Sequence, residues 1–219
     1  MKTLVLFSFL MAVETSFGFS SLSQQAIYYQ DLYNNPSDST QISKSQMNQG
    51  ETRPKAVLKG VFYFGGSDRK REALSSNYQG LLCSEGFSQA YSVYTSVDKT
   101  ASCSEGELNY NHIGTPKADG ARPRLVMQSI YNVIKAGGSL GPIYLHCYYG
   151  VHASNSFAQM ALKQFCGISN DQAVANWNKV NLYDSLDAAN KAKQLDIIRS
   201  FKPYAEFAIT ADERSTVCY

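Results

Sequence analysis

The chain lacks a charge excess: 20 Lys and Arg stand against 18 Asp and Glu in 219 residues, a formal net charge of +2. Such a balance supplies no long-range field to hold a polyanion, so nucleic acid is not an expected partner. A long apolar run is lacking too. Leu4 to Val13 is broken at Glu14, short of the about 20 residues that a membrane-crossing helix needs, and no stable membrane insertion is expected. Histidine (3) and tryptophan (1) are scarce, and no cluster of His, Cys, Asp and Glu has ligand spacing, so neither a metal nor another cofactor is expected. The absence of any repeat with a period of about 20 to 50 residues argues against a solenoid or propeller.

Met1-Lys2-Thr3, the apolar run and then Thr15-Ser16-Phe17-Gly18 have the order of a secretory leader with a small-residue cleavage site. Residues 1–18 are therefore expected to be a signal peptide and the protein to be exported, periplasmic or secreted. Export permits disulfides. The five cysteines, Cys83, Cys103, Cys147, Cys166 and Cys218, are odd in number, so at least one is unpaired. If that one is Cys147, the other four allow up to two bridges in three connectivities. Cys83 and Cys103 each precede Ser-Glu-Gly and flank a predicted strand, which suggests that they pair.

Residues 19–54 are rich in Ser, Gln, Asn and Asp, as in Asn34-Asn35-Pro36-Ser37-Asp38-Ser39. This is poor material for a core and predicts a mobile arm, parts of which Tyr28, Tyr29 and Tyr33 could pin to the surface. Residues 55–219 suffice for one domain with a full core. Strands are expected over Ala56–Phe64, Ser88–Val97, Glu107–Ile113 and Pro142–His146 from their Val, Ile, Phe and Tyr content. Helices are expected over Glu72–Glu85, Pro123–Ala136, Ser154–Cys166, Asn170–Lys179 and Leu186–Phe201 from apolar spacing and glycine stops. Strands alternating with helices predict an α/β fold, a mostly parallel sheet flanked by helices.

The segment Ile143-Tyr144-Leu145-His146-Cys147-Tyr148-Tyr149-Gly150-Val151-His152-Ala153-Ser154 runs from a strand through a glycine-containing loop into a helix. Loop amides and the helix N-terminus then converge on one concavity, which favours negative charge there, phosphate and thiolate alike. Cys147 fits a nucleophile better than a merely buried small residue. His146 fits an anchor for the loop through its ring nitrogens, and His112, within a strand, a structural role.

His146-Cys147-x-x-Gly150-x-x-x-Ser154 resembles the active-site loop of the protein tyrosine, dual-specificity and phytase-like phosphatases, which reads His-Cys, five residues, Arg, then Ser or Thr. The outline extends from Val57 to about Phe201, and the motif from Gly141 to Ser154. The resemblance implies Cys147 as nucleophile and Ser154 as the hydroxyl that stabilises the departing thiolate. Tyr148, Tyr149, Gly150, Val151, His152 and Ala153 would form the phosphate-binding loop. Asp119, in the loop before the helix at Pro123, stands near the family's general acid, although Asp119-Gly120 also fits a plain turn.

One position departs. Ala153 stands where the family has arginine, whose planar fork holds two phosphoryl oxygens. His152, Arg122, Arg124 and Lys117 are the basic residues near enough in sequence to be weighed as substitutes. The expected function is an exported phosphatase-like protein, impaired in hydrolysis, whose partner is a phosphorylated small molecule or a phosphoprotein. A working phosphomonoesterase with a substitute cation, and an interaction module on the same scaffold, are the alternatives.

Overall fold

The computed structural model describes Ser21, Leu22, Ala26 and residues 52–69, 71–116, 120–180 and 187–219. The expected signal peptide, most of the expected arm, Lys117 and Asp119 lie outside the described residues.

The sheet among the described residues has six strands: β1 (Lys55–Leu58), β2 (Phe62–Gly65), β3 (Gln89–Ser92), β4 (Asp98–Cys103), β5 (Gly106–His112) and β6 (Ile143–His146). Their order is β1-β2-β6-β3-β5-β4. The inner pairings β2–β6, β6–β3 and β3–β5 are parallel. The outer pairings β1–β2 and β4–β5 are antiparallel. The expected α/β class with a mostly parallel sheet is what the strands build.

Period-two alternation sorts the strand side chains between two cores. Phe62, Phe64, Ile143 and Leu145 enter one, and Tyr63, Tyr144, Ala90 and Tyr110 the other. Helix α1 (Ser76–Ser84) covers the second face, capped by the Ser75 hydroxyl on Tyr78 N–H at 3.1 Å. The first face is covered by α2 (Ala121–Lys135) and α3 (Ala153–Ala161), the latter buried at every residue. A single π turn, Leu162–Cys166, extends α3 to Gly167, whose φ of 70° ends it. Helices α4 (Asn170–Val180), α5 (Ala188–Ser200) and α6 (Ala211–Val217) complete that side.

Several expected elements change. The single strand over Ala56–Phe64 is a hairpin instead, folded at Lys59-Gly60 with Gly60 at φ 66°. The strand over Ser88–Val97 stops at Ser92, and β4, absent from the sequence reading, follows it. Neither β4 nor its partner β5 has an unbroken apolar pattern, because each turns one side to solvent. Helix α6 was also missed, although Thr210 and Glu213 close a reciprocal capping box there.

Within the expected arm, Leu22 and Ala26 are buried against Tyr63, Leu82 and Tyr144, and Leu22 N–H donates to Glu85 Oε1 at 2.6 Å. The tyrosines considered as anchors there lie outside the described residues.

Two disulfides form, Cys83–Cys103 and Cys166–Cys218. The first ties α1 to β4, and the second ties the end of the α3 segment to the residue after α6. With sequence separations of 20 and 52, loop-closure entropy assigns them about 3 and about 4 kcal/mol. Cys147 is free and buried.

Candidate active site

The site begins with β6, held between β2 and β3, whose last residue His146 delivers Cys147 to the C-terminal edge of the parallel strands. Two glycines set the loop that follows. Gly150 has φ 67°, and a Cβ there would lie 2.4 Å from the Gly65 carbonyl carbon. Gly65 is equally confined, since its own Cβ would collide with Thr52 O and the Tyr144 hydroxyl. The Gly65-Gly66-Ser67 segment therefore lies flat against the loop, where Cys147 N–H donates to Gly65 O at 3.3 Å and Ser67 N–H to Tyr148 O at 3.2 Å.

His146 is buried and clamped at both ring nitrogens. The Cys147 carbonyl can only accept, so the imidazole proton sits on His146 Nδ1, 3.2 Å away. That leaves Nε2 of the neutral ring to accept from the Tyr110 hydroxyl at 2.7 Å, whose oxygen in turn accepts from Leu74 N–H at 3.0 Å. Burial holds the ring neutral by lowering its pKa to about 4, against the opposing bond to Cys147. A neutral, doubly bonded ring suits an anchor.

The structure brings Cys147 and Ser154 together. Cys147 Sγ lies 3.1 Å from Ser154 Oγ, which is itself 3.3 Å from Gly65 O. The hydroxyl has one proton. Directed at Gly65 O, it leaves the oxygen to accept from the thiol; turned to sulfur, it donates to a thiolate. The pair can thus follow the charge on the cysteine without moving heavy atoms. Beside it the N-terminus of α3 has no side-chain cap, so its first amides remain oriented toward the loop.

Ala153 is fully buried in the core cluster that includes Cys147, Val151 and Phe157. A methyl group thus occupies the position where the resemblance places a guanidinium. Among the described residues, the basic side chains weighed as substitutes have contacts elsewhere. Arg122 Nη1 donates to Thr115 O at 3.0 Å, and Arg124 pairs with Glu206 over the rings of Tyr204 and Phe207. The His152 ring lies 6.5 Å from that of Trp177, and its carbonyl accepts from Trp177 Nε1 at 3.3 Å.

Other side chains at the loop escaped the sequence reading. Lys55 is 1% exposed, and its ammonium donates to Gly150 O at 3.2 Å and Arg53 O at 2.9 Å, above the Phe64 ring. Burial, and secondarily the Arg53 charge, lower its pKa to about 7, with Cys147 opposing. Arg53 itself is buried at φ 41°, a backbone state unusual for a residue with a side chain. At the outer rim, exposed Arg71 donates from Nε to the Tyr149 hydroxyl at 3.0 Å, and Tyr94 packs on Tyr148 with centroids 4.7 Å apart. Burial, then Cys147 and Tyr148, push the Tyr94 phenol well up. No local pattern marks any of these, because Lys55 and Gly150 are 95 residues apart and Arg71 and Tyr149 are 78.

No family model matches the chain, and no curated protein sequence matches it either. Solved structures of protein tyrosine and dual-specificity phosphatases do resemble it. It is similar to Tk-PTP in its active form, at 13% identity over 67% of this chain and 95% of that one, with a TM-score of 0.45. Similarity to TpbA of P. aeruginosa is 15% identity over 67% and 86%, TM-score 0.43. For human DUSP28 the figures are 11% identity over 65% and 91%, TM-score 0.41. Overlap at this level is one of outline, and the loop's own geometry carries the functional reading.

Proposed function

We propose that this is an exported protein that holds a phosphate ester or inorganic phosphate in the Cys147 loop and hydrolyses it weakly or not at all. The observation that carries the reading is the 3.1 Å contact of Cys147 Sγ with Ser154 Oγ at the junction of β6 and α3, with the buried methyl of Ala153 next to it. In the chemistry that the motif resembles, the thiolate attacks phosphorus, the P–O bond to the alcohol breaks, and a general acid protonates the departing oxygen. Water then cleaves the phosphocysteine, with the serine hydroxyl stabilising the released thiolate.

Cys147 and Ser154 suit those two roles, and Asp119 is the proposed acid. Without the arginine fork, transition-state charge on the phosphoryl oxygens is left largely to backbone amides. Such guanidinium donors are worth about 10³ to 10⁵ in rate, or roughly 4 to 7 kcal/mol. Ground-state phosphate binding by loop amides survives that loss better than catalysis does. Export is supported by the two disulfides, together with the finding that no described helix is long and apolar enough to cross a membrane.

A second reading, a working phosphomonoesterase, is favoured by Arg71, whose long exposed side chain already contacts Tyr149 of the loop. Aryl phosphate hydrolysis from about pH 4 to 8 separates the two, with Cys147→Ser as blank and Arg71→Ala and Ala153→Arg alongside. A silent wild type that binds phosphate, with activity appearing in Ala153→Arg, supports the impaired site. Wild-type activity lost in both Cys147→Ser and Arg71→Ala supports the working enzyme, and silence together with no phosphate binding overturns both.

A further inference from the structure

The chemistry drawn from Cys147 and Ser154 gives Lys55 no role, although its ammonium lies under the loop. Lys55 opens β1 and is 1% exposed. It donates to Gly150 O at 3.2 Å and to Arg53 O at 2.9 Å, and its Nζ is 4.6 Å from the centroid of the Phe64 ring. A charged donor holds a carbonyl more firmly than a neutral one does. The charged and titratable groups around it, among the described residues, are Arg53 on its own segment, Cys147 and His152 on the loop, and Lys179 of α4 and Tyr219, which line a cavity with it.

The bond to Gly150 O governs the orientation of a peptide plane. Gly150 has φ 67°, and a glycine imposes little steric preference on the plane that follows it. The Gly150–Val151 peptide is trans, so its carbonyl and its N–H point in opposite directions. Lys55 draws the carbonyl to the β1 side of the loop, into the core that holds Phe64. A flip of that plane would instead set a carbonyl oxygen, with its partial negative charge, on the face where an anion is to be held.

Resting on the reading that the loop holds phosphate, we propose that Lys55 is its positioning residue: the ammonium pins the Gly150 carbonyl away from a bound oxyanion and sets behind the loop the positive charge that Ala153 does not supply. A dianion in the loop favours the charged form of Lys55, and by linkage the charged form favours the dianion by the same factor. Burial, with the Arg53 charge adding to it and Cys147 opposing, lowers the pKa of Lys55 to about 7, so both forms are populated near neutral pH. Oxyanion affinity should therefore be full below about pH 7 and decline above it.

The test uses sulfate, whose double charge is constant from about pH 5.5 to 9, and the full chain carrying Cys147→Ser, so that no thiol titrates in the same range. Lysine-labelled NMR reads the protonation of Lys55 directly. Saturating sulfate should move its titration midpoint up from about 7 by about one pH unit, and sulfate affinity should fall about tenfold between about pH 6 and 9. With Lys55→Met added, sulfate should bind about tenfold more weakly at about pH 6 and the slope should vanish, whereas a slope caused by His152 would remain. If Lys55→Met does not fold, the Lys55 midpoint decides the matter, since it is read with the lysine in place. Sulfate binding with no shift of that midpoint, or with the pH slope intact in Lys55→Met, overturns the role of Lys55 and leaves the phosphate reading standing. No sulfate binding at any pH overturns both.

Discussion

The two ends of the Cys147 loop are built on different terms. At the strand end, His146 and Cys147 sit in a hydrogen-bond chain from Leu74 through Tyr110 to the cysteine carbonyl, and the cysteine sulfur reaches across to Ser154 of α3, which bonds Gly65. At the helix end, Val151, Ala153 and Phe157 pack as ordinary core. On the reading proposed above, the polar scaffolding of a nucleophile is present while the position that would grip a phosphoryl group is apolar. The contrast teaches that the polar chain also supports the fold. Breaking it would leave buried donors and acceptors unpaired, whereas filling the helix end with methyl groups leaves none.

The largest expected effect comes from rebuilding the apolar end. Ala153→Arg should raise Cys147-dependent aryl phosphate hydrolysis by about 10³ or more if the strand end is competent, and the gain should vanish when Cys147→Ser is added. Chemical denaturation is the check that this buried substitution still folds. Next in size is the hinge between the two ends. Gly150→Ala places a Cβ against the Gly65 backbone at a left-handed φ, and should cost about 3 kcal/mol or more in urea unfolding.

The strand end should also announce itself in pH dependence. His146 has a folded pKa of about 4 against an ordinary 6.5. The unfolded chain therefore binds the proton first, and stability is lost as pH falls from about 6.5 toward 4, by about 3 kcal/mol in all. Replacing His146 by Gln should remove that slope from melting temperatures measured across the window. Lys55, lowered to about 7 from 10.5, acts in the same sense at higher pH. It binds its proton more weakly when folded, so stability should rise with pH from about 7 toward 10, and Lys55→Met should flatten that rise. The smallest effect is expected for Tyr110→Phe, which unpairs His146 Nε2 and Leu74 N–H and should cost about 1 to 3 kcal/mol while leaving Ser154 on Cys147.

What could be read beforehand followed from local pattern. The spacing of Val126, Ile130, Val133 and Ile134 marked α2, now seen as buried positions of one helix. The short apolar run before Cys147 marked β6, and Gly167 marked the end of the α3 segment. The hairpin of β1 and β2 was read as a single strand because Lys59-Gly60 interrupts an otherwise uniform β-favouring stretch. Strand β4 was missed because its alternation is mostly between solvent and half-buried positions, where the hydrophobic signal is faint. In the site, the cysteine and its serine stood out because strand, loop and helix follow one another in the chain. Lys55, Arg71 and Tyr94 did not, since each arrives from a different element.

By itself the sequence determined the α/β alternation, the strand-loop-helix unit around Cys147, the odd cysteine count and the alanine where the resemblance leads one to look for arginine. These are properties of neighbours along the chain, where side-chain periodicity and glycine placement act directly on the backbone. Only the tertiary structure decided which cysteines pair, which glycines of β2 and the loop must touch, and which ammonium lies under Gly150. Those outcomes depend on how the strands order themselves in the sheet, and that order is set by burying two faces at once rather than by any one segment.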